Sequence, residues 1–292
     1  MGKISKGFQG VRHTPVLLQT VMRALNVRPG GKYIDATFGS GGYARAMLER
    51  GAQVLGIDRD RRQIEAAATD LKTNPDLRLV VGNFADIGTI ARANRYAPAV
   101  GVVFDLGLSM EQIGGSGRGF SYRRSQERLD MRLDPETGFS AAELINRATV
   151  EALYQIFVKN SEEIRSRVIA QAIVQARKTR PIITAGDLVM AIERGSGVRD
   201  QKTSARIFQA LRIAVNNEFE NLPRGLIGAY ELLCDRGRIV VVTFHSLEDR
   251  LVKRLIRQRG WSKIEAARPP DNRKNRYERS ATVRIIEKHE KK

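Results

Sequence analysis

Two acidic residues, the first opening a run with three glycines, mark the place where this chain could do chemistry. The run DATFGSGG spans Asp35 to Gly42, and QVLGID ends at Asp58, 19 positions after Gly39. Apolar residues precede both carboxylates, so the spacing predicts a strand, a glycine loop, a helix and a second strand, with each carboxylate at a strand end. There Asp58 could accept hydrogen bonds from ribose hydroxyls, while Gly39, Gly41 and Gly42 let backbone approach a ligand. A nucleoside-bearing cofactor is implied. Gly39, Gly41 and Ala44 also satisfy the dinucleotide pattern G-x-G-x-x-G/A. That pattern seats a pyrophosphate on a helix N-terminus, where the Asp35 carboxylate would repel it. A ligand carrying an ammonium and a sulfonium suits Asp35 better, and S-adenosylmethionine carries both. The plainer alternative is that Asp35 and Asp58 are turn residues at strand ends.

Three further segments could complete a site. VVFDLGLS places Asp105 at the C-terminal end of a later strand, where open parallel sheets build their sites. Residues 113–124, IGGSGRGFSYRR, hold four glycines, two aromatics and three arginines. Arg118 and Arg123 could meet phosphate, and Phe120 or Tyr122 could stack on an extruded base; the alternative is a linker. In TFHSLEDR, Ser246 and Asp249 have the spacing of a capping pair, predicting a helix over Leu247 to Arg257. His245 would then sit at its positive end as a group able to accept or relay a proton. The single cysteine, Cys234, lies in the apolar run AYELLC and reads as a packing residue. Methylation at a pyrimidine carbon generally needs a thiolate, so transfer to an exocyclic amine or a hydroxyl is left. An exocyclic amine needs acceptors for its N–H groups as positive charge develops. Asp105 is the candidate, with backbone carbonyls near Leu106.

These residues must be positioned by a large fold. The 292 residues carry 50 Lys and Arg against 32 Asp and Glu, a net charge of +18, which implies a polyanionic partner, nucleic acid by default. From Arg250 to Arg279 there are eleven basic and three acidic residues; Arg273, Lys274 and Arg276 are candidates for phosphate contact. No apolar run reaches 18 residues, the basic N-terminus lacks an apolar signal core, and one cysteine fits a reducing compartment. A cytoplasmic location is expected, with a mitochondrial or plastid matrix as the alternative. No metal site is expected, and the oligomeric state is open.

Strands are predicted at Lys32–Thr37, Gln53–Asp58, Leu77–Phe84, Ala99–Leu106, Gly237–Phe244, Ser262–Arg268 and Ala281–Glu287, the last near an edge. A short helix should follow Thr14 and Pro15. An all-helical block, residues 113–212, interrupts a sheet domain made of residues 1–112 and 213–292. Within the block, Ser140 with Glu143 and Thr184 with Asp187 have capping-box spacing. Ile164, Val168, Ala172 and Ala176 mark one amphipathic helix, and Ile207, Leu211, Val215 and Phe219 another. On the second, Gln209, Arg212 and Asn216 form a polar stripe that could line a substrate cleft or face solvent.

The chain resembles the small-subunit ribosomal RNA (cytosine-N4)-methyltransferase family of bacteria and organelles. The likeness runs in order through HTPVLL at His13, DATFGSGG, DLGLSMEQ, RGFSY, LDMRLDP, FQALRIAVNNE, GRIVVVTFHSLEDRLVKR and RSATVR. The resemblance implies a class I, Rossmann-like α/β methyltransferase sheet with a helical substrate-recognition insert. It also implies S-adenosylmethionine as cofactor and a cytidine near the decoding P site as substrate, in naked RNA or an assembled subunit. By carry-over, Gly41, Gly42 and Tyr43 occupy the cofactor loop, Asp58 the ribose position and Phe84 the adenine side, with Asp105 and Gln112 as further cofactor contacts. The chain departs from the family at Tyr43 (usually histidine), Met110 (serine), Glu127 and Arg128 (Gly-Pro), and in KNSEE (Tyr-Gly-Glu-Glu). Ribose 2′-O-methylation, a non-catalytic RNA-binding assembly factor and a nicotinamide-dependent oxidoreductase are the competing readings.

Overall fold

The computed structural model describes residues 15, 17–71, 74–264 and 280–289. It divides into two compact units, one running to Gly107 and resuming at Leu222, the other covering Leu108–Asn221.

The first unit is a seven-stranded sheet. Helix α1 (Leu18–Leu25) leads into β1 (Lys32–Asp35), α2 (Gly42–Leu48), β2 (Gln53–Asp58), α3 (Arg61–Leu71), β3 (Leu77–Val81), a short 3₁₀ turn at Phe84–Asp86, α4 (Ile87–Ala93) and β4 (Ala99–Asp105). After the second unit come β5 (Leu233–Thr243), α12 (Ser246–Arg259), β6 (Ser262–Ile264) and β7 (Thr282–Glu287). The strand order is β3-β2-β1-β4-β5-β7-β6. The pairs from β3 to β5 are parallel, and β7 is antiparallel to β5 and β6. This is the class I methyltransferase sheet that the resemblance implies.

The strands alternate between two buried faces. Val103, Val240, Val242 and Ile285 pack with Val21, Leu25, Ala44 and Met47 of α1 and α2. Val102, Phe104, Ile239 and Val241 pack with Leu226 of α11 (Glu218–Leu232) and with Val252 and Leu255 of α12. Burial on both faces explains the nearly continuous apolar run in β5. That strand begins earlier than expected because Leu233 pairs with Ala99 across a bulge, so Cys234 lies within it, half-buried. Helix α1 starts at Leu18 behind a left-handed Leu17, so Pro15 precedes the helix; Thr14 lies outside the described residues. β3 ends at Val81, and Phe84 instead opens the 3₁₀ turn, whose Ala85 amide donates to the Asn83 side chain. Residues 265–268, expected to prolong β6, lie outside the described residues.

The second unit is helical: α5 (Met110–Gly115), α6 (Ala141–Arg147), α7 (Val150–Ser161), α8 (Ser166–Thr179), α9 (Ala185–Ser196) and α10 (Gln201–Asn216). Both expected capping boxes form, Ser140 with Glu143 and Thr184 with Asp187. The face expected on α8 is a correction. Ile164 is 95% exposed and Val168 45% exposed, whereas Ser166, Ile169, Ala170 and Ile173 are buried. Ile164 precedes the helix, so the buried stripe is set by residues rotated off the predicted one.

The polar stripe on α10 is structural. Arg212 forms two 2.8 Å bonds to Glu218, and Gln209 donates to the Asn160 carbonyl. Asn216, buried, accepts from the Leu133 amide at 2.9 Å and donates to the Met131 carbonyl at 2.8 Å. These bonds fasten LDMRL, in which Met131 adopts φ of +60°, and they carry the second unit past residue 212 to Asn221. At the other end, Ser109 caps α5 through Gln112, so the unit starts at Leu108 rather than at residue 113.

Asn216→Ala should strand the part-buried Leu133 amide and the buried Met131 carbonyl, costing about 2 to 4 kcal/mol. A fall in the urea midpoint of the helical unit checks this; a loss below about 1 kcal/mol would show that the segment finds other partners.

Candidate active site

The parallel strands deliver their last residues to one edge of the sheet. Asp35, Asp58 and Asp105 end β1, β2 and β4. Thr37 joins two of these ends. Its hydroxyl accepts from the Asp105 amide at 2.7 Å, and its own amide donates to Asp35 Oδ1 at 3.4 Å. Asp35 also accepts from the backbone of Ala44 in α2, so its carboxylate occupies the first turn of that helix. An amide that a pyrophosphate would need there is already engaged.

Asp58 organises the glycine loop: Oδ2 accepts from the Gly39 amide at 2.7 Å and Oδ1 from Asp60 at 2.8 Å. A carboxylate has further acceptor capacity, so ribose recognition is compatible with this duty. The Phe38 ring underlies the loop, and a Cβ on Gly41 would come within 2.5 Å of it at a φ of +75°. Only glycine satisfies both the contact and the backbone angle there. Phe84, half-buried, meets Phe104 edge to face with ring centroids 5.7 Å apart.

The electrostatics at this edge are unusual. Asp35 is 0% exposed. Burial first, then the field of Asp58, push its carboxyl up to about 7 against the backbone bonds of Thr37 and Ala44. Asp105 is pushed well above the usual carboxylate range by burial, then by Asp35 and Glu248. The Tyr43 hydroxyl is raised by burial and by the same two aspartates. Asp35 Oδ2 and Asp105 Oδ1 are buried with no hydrogen-bond partner among the described residues. Two buried carboxylate oxygens lacking donors, beside a loop whose glycines admit backbone approach, fit a ligand that brings positive charge.

The loop after β5 differs from expectation. His245, rather than Ser246, caps α12, and Glu248, rather than Asp249, closes the box. His245 Nδ1 accepts from the Glu248 amide at 3.3 Å, and its Nε2 lies 2.9 Å from Glu248 Oε1. Glu248, 3% exposed, also accepts from the Phe244 amide at 2.9 Å. Asp249 pairs with Arg284 at 2.7 and 3.1 Å, which accounts for the last arginine of RSATVR. Glu248 is the acidic residue the sequence reading missed, although His-x-x-Glu has the same spacing as the pair chosen.

Several residues expected at ligands are occupied elsewhere. Gln112 belongs to the helical unit, and its Oε1 accepts from the Ser109 amide at 2.9 Å. Arg118, only 6% exposed, donates to the carbonyls of Arg132 and Leu133. Phe120 is in the helical core. Arg212 is paired with Glu218. Arg118 and Phe120 serve the structure because the segment 113–124 is pinned, and Arg212 ties the end of α10 to Glu218. Gly119 donates to Glu127 at 3.0 Å and abuts the Arg128 carbonyl, where a Cβ would come within 2.4 Å. Glu127 thus serves the loop, and in KNSEE Asn160 donates to Ala210 and Lys159 pairs with Glu220. Tyr122 is half-buried against Phe208, and Arg123 is exposed over the Tyr122 ring. Arg273, Lys274 and Arg276 lie outside the described residues. No group of three or more potential metal ligands occurs among the described residues.

The MraW methylase family matches residues 10–288. The chain belongs to this family. Ribosomal RNA small subunit methyltransferase H of Thermomicrobium roseum is 45% identical over 84% of this chain and 77% of its own length. The protein of that name from Bartonella henselae is 42% identical over 91% and 76%, and one from Methylorubrum extorquens is 43% identical over the same shares. Among solved structures, an rRNA methylase from Streptococcus thermophilus overlays with a TM-score of 0.47 at 9% identity, covering 96% of this chain and 99% of its own.

The buried carboxyl of Asp35 sets a pH dependence. Its folded pKa of about 7 lies above an unfolded value of about 3.9, so between them the folded chain holds a proton that the unfolded chain releases. Ligand-free stability should fall as pH rises from about 4 to about 7, and this contribution should be constant above that. Asp35→Asn should remove this part of the slope, leaving that of Asp105. Urea midpoints at several pH values check it, and an unaltered slope in the variant would assign the dependence to other groups.

Proposed function

We propose that this chain transfers the methyl group of S-adenosylmethionine to the exocyclic N4 of a cytidine in small-subunit ribosomal RNA, near the decoding P site. The observation that carries the proposal is the pair of buried, unpartnered carboxylate oxygens on Asp35 and Asp105 at the carboxyl edge of the sheet. The relatives, all ribosomal RNA small subunit methyltransferases by name, supply the substrate class.

When bound, S-adenosylmethionine supplies an electrophilic methyl group and a positive charge. Asp35 would face that charge, Asp58 the ribose, Phe84 the adenine side, and Gly39, Gly41, Gly42 and Tyr43 would line the approach. A cation favours the ionised form of the raised carboxyls, so cofactor binding would ready Asp105 as an acceptor. Asp105 Oδ1 would then grip an N–H of the cytosine amine, whose lone pair is drawn into the ring. It would stabilise the positive charge that builds on nitrogen and receive the proton the amine must lose. His245 and Glu248 hold the α12 entry beside this group, a positioning role. Tyr122 and Arg123 are proposed to meet the RNA, with Arg273, Lys274 and Arg276 adding phosphate contacts. Ribose 2′-O-methylation would call for a cationic group to activate a hydroxyl. The charged groups that perturb Asp105 are acidic.

The test is nucleoside mass spectrometry of small-subunit RNA incubated with the protein and S-adenosylmethionine. N4-methylcytidine is the expected product; a 2′-O-methylated nucleoside alone would overturn the assignment. Asp105→Asn, assayed at saturating cofactor with cofactor affinity measured in parallel, should lower turnover by roughly a hundredfold or more. Turnover near that of the native protein would remove Asp105 from the transfer step.

A further inference from the structure

At the opposite end of the sheet lies a cleft of about 270 Å³ lined by Leu25, Arg28, Val100, Arg236, Arg238, Glu287 and His289. It is built where the parallel strands begin. Val100 is the second residue of β4, Arg236 and Arg238 fall early in β5, and Glu287 ends antiparallel β7 directly opposite Arg238. Along β4 this end is separated from Asp105 by about 17 Å, at about 3.3 Å per residue. The cleft therefore has no part in the carboxylate site.

Its charges divide into frame and surplus. Arg238 donates to Glu287 at 2.8 Å and to the Ala24 carbonyl at 3.0 Å, which neutralises the one carboxylate in the lining and fixes the wall. His289 Nε2 lies 3.3 Å from the same carboxylate. Arg28 and Arg236 are exposed, and no described carboxylate pairs with either guanidinium. Arg236 is held with φ of +56°, its amide donating to the Lys288 carbonyl at 2.8 Å. That conformation is uncommon for a long side chain. Two arginines unpaired among the described residues converge on a concave surface whose acid is already satisfied, a setting suited to an oxyanion with several acceptor oxygens.

The geometry points to a phosphate-binding site in this cleft, with Arg28 and Arg236 as its ligands and the RNA backbone as the source of the phosphate. The inference rests on the proposed RNA substrate. It adds a second anchoring point about 17 Å from the transfer site by the strand rise, one that gives affinity without touching the reacting base. A free phosphate shares the chemistry, so the experiment has two arms.

In the first arm, binding of a small-subunit RNA fragment to the full chain is measured across a salt series for the native protein and for Arg28→Gln/Arg236→Asn. Asparagine tolerates the left-handed backbone at position 236. The double variant should bind about tenfold more weakly at low salt, with the slope of log K against log salt reduced by about one to two. Its affinity for S-adenosylhomocysteine should be unchanged, which shows the sheet intact. The second arm titrates inorganic phosphate into the native protein by calorimetry, and only weak binding is expected. An unchanged RNA affinity and slope in the variant would overturn the site. Tight phosphate binding lost in the variant, with the RNA slope unaltered, would overturn the backbone as its occupant. A native chain with no affinity for RNA would overturn the substrate reading itself, and the backbone source with it.

Discussion

Two carboxyl groups buried at the ends of neighbouring strands impose the main constraint on the sheet unit. Asp35 and Asp105 repel each other when both are ionised, and burial denies them the water that would screen them. Thr37 makes the arrangement geometrically definite by bonding both strand ends. Asp35 is further held by an amide of the first turn of α2, and the glycine loop between is clamped by Asp58 and seated on Phe38. The protein thereby pays in stability for groups aimed at something it does not itself contain. In a fold of marginal net stability such a cost persists where a ligand relieves it.

Glu248 extends that acidic region from a different part of the chain. It closes the α12 cap with His245 and adds its field to Asp105. One side chain thus couples the position of the loop after β5 to the protonation of the strand-end carboxyl. The capping bonds alone would be a local matter of helix stability. Their placement beside a raised aspartate connects helix entry with the proposed transfer chemistry.

The parts of this arrangement legible in the sequence were those fixed by local spacing. The strand at Gln53–Asp58 and the boxes at Ser140 and Thr184 follow from period and capping chemistry that a short window contains. What a window could not contain was partnership across the chain. Arg118 and Phe120 have the composition of an RNA-facing loop, yet the carbonyls of Arg132 and Leu133 and the helical core claim them. Asn216 reads as part of a solvent or cleft stripe because its partner, the Met131 carbonyl, lies 85 residues away and is set by tertiary folding, whereas the Glu218 that holds Arg212 is only six residues on. His245 with Glu248 and Ser246 with Asp249 have equal spacing; in the structure Glu248 is the buried member of the box and Asp249 is held by Arg284, 35 residues on.

The distribution of charge resolves an apparent conflict between an acidic site and a chain of net charge +18. A cationic cofactor and a polyanionic RNA make opposite demands, and a single mixed surface would serve neither. Here the carboxyls that would attract the cation are buried at the carboxyl edge of the sheet, where low dielectric strengthens their pull over short range. Arg28 and Arg236 are exposed at the far end, where by the proposal above they would act on a backbone that carries its own counterions. Burial separates the two fields more effectively than distance alone would. At physiological salt an exposed charge is largely screened within about 8 Å, so the surface arginines do not cancel the strand-end carboxyls. Burial first, and acidic neighbours second, raise the pKa values of Asp35 and Asp105. The surface arginines leave the strand-end carboxyls uncancelled, and a cation brought against them would favour their ionised form.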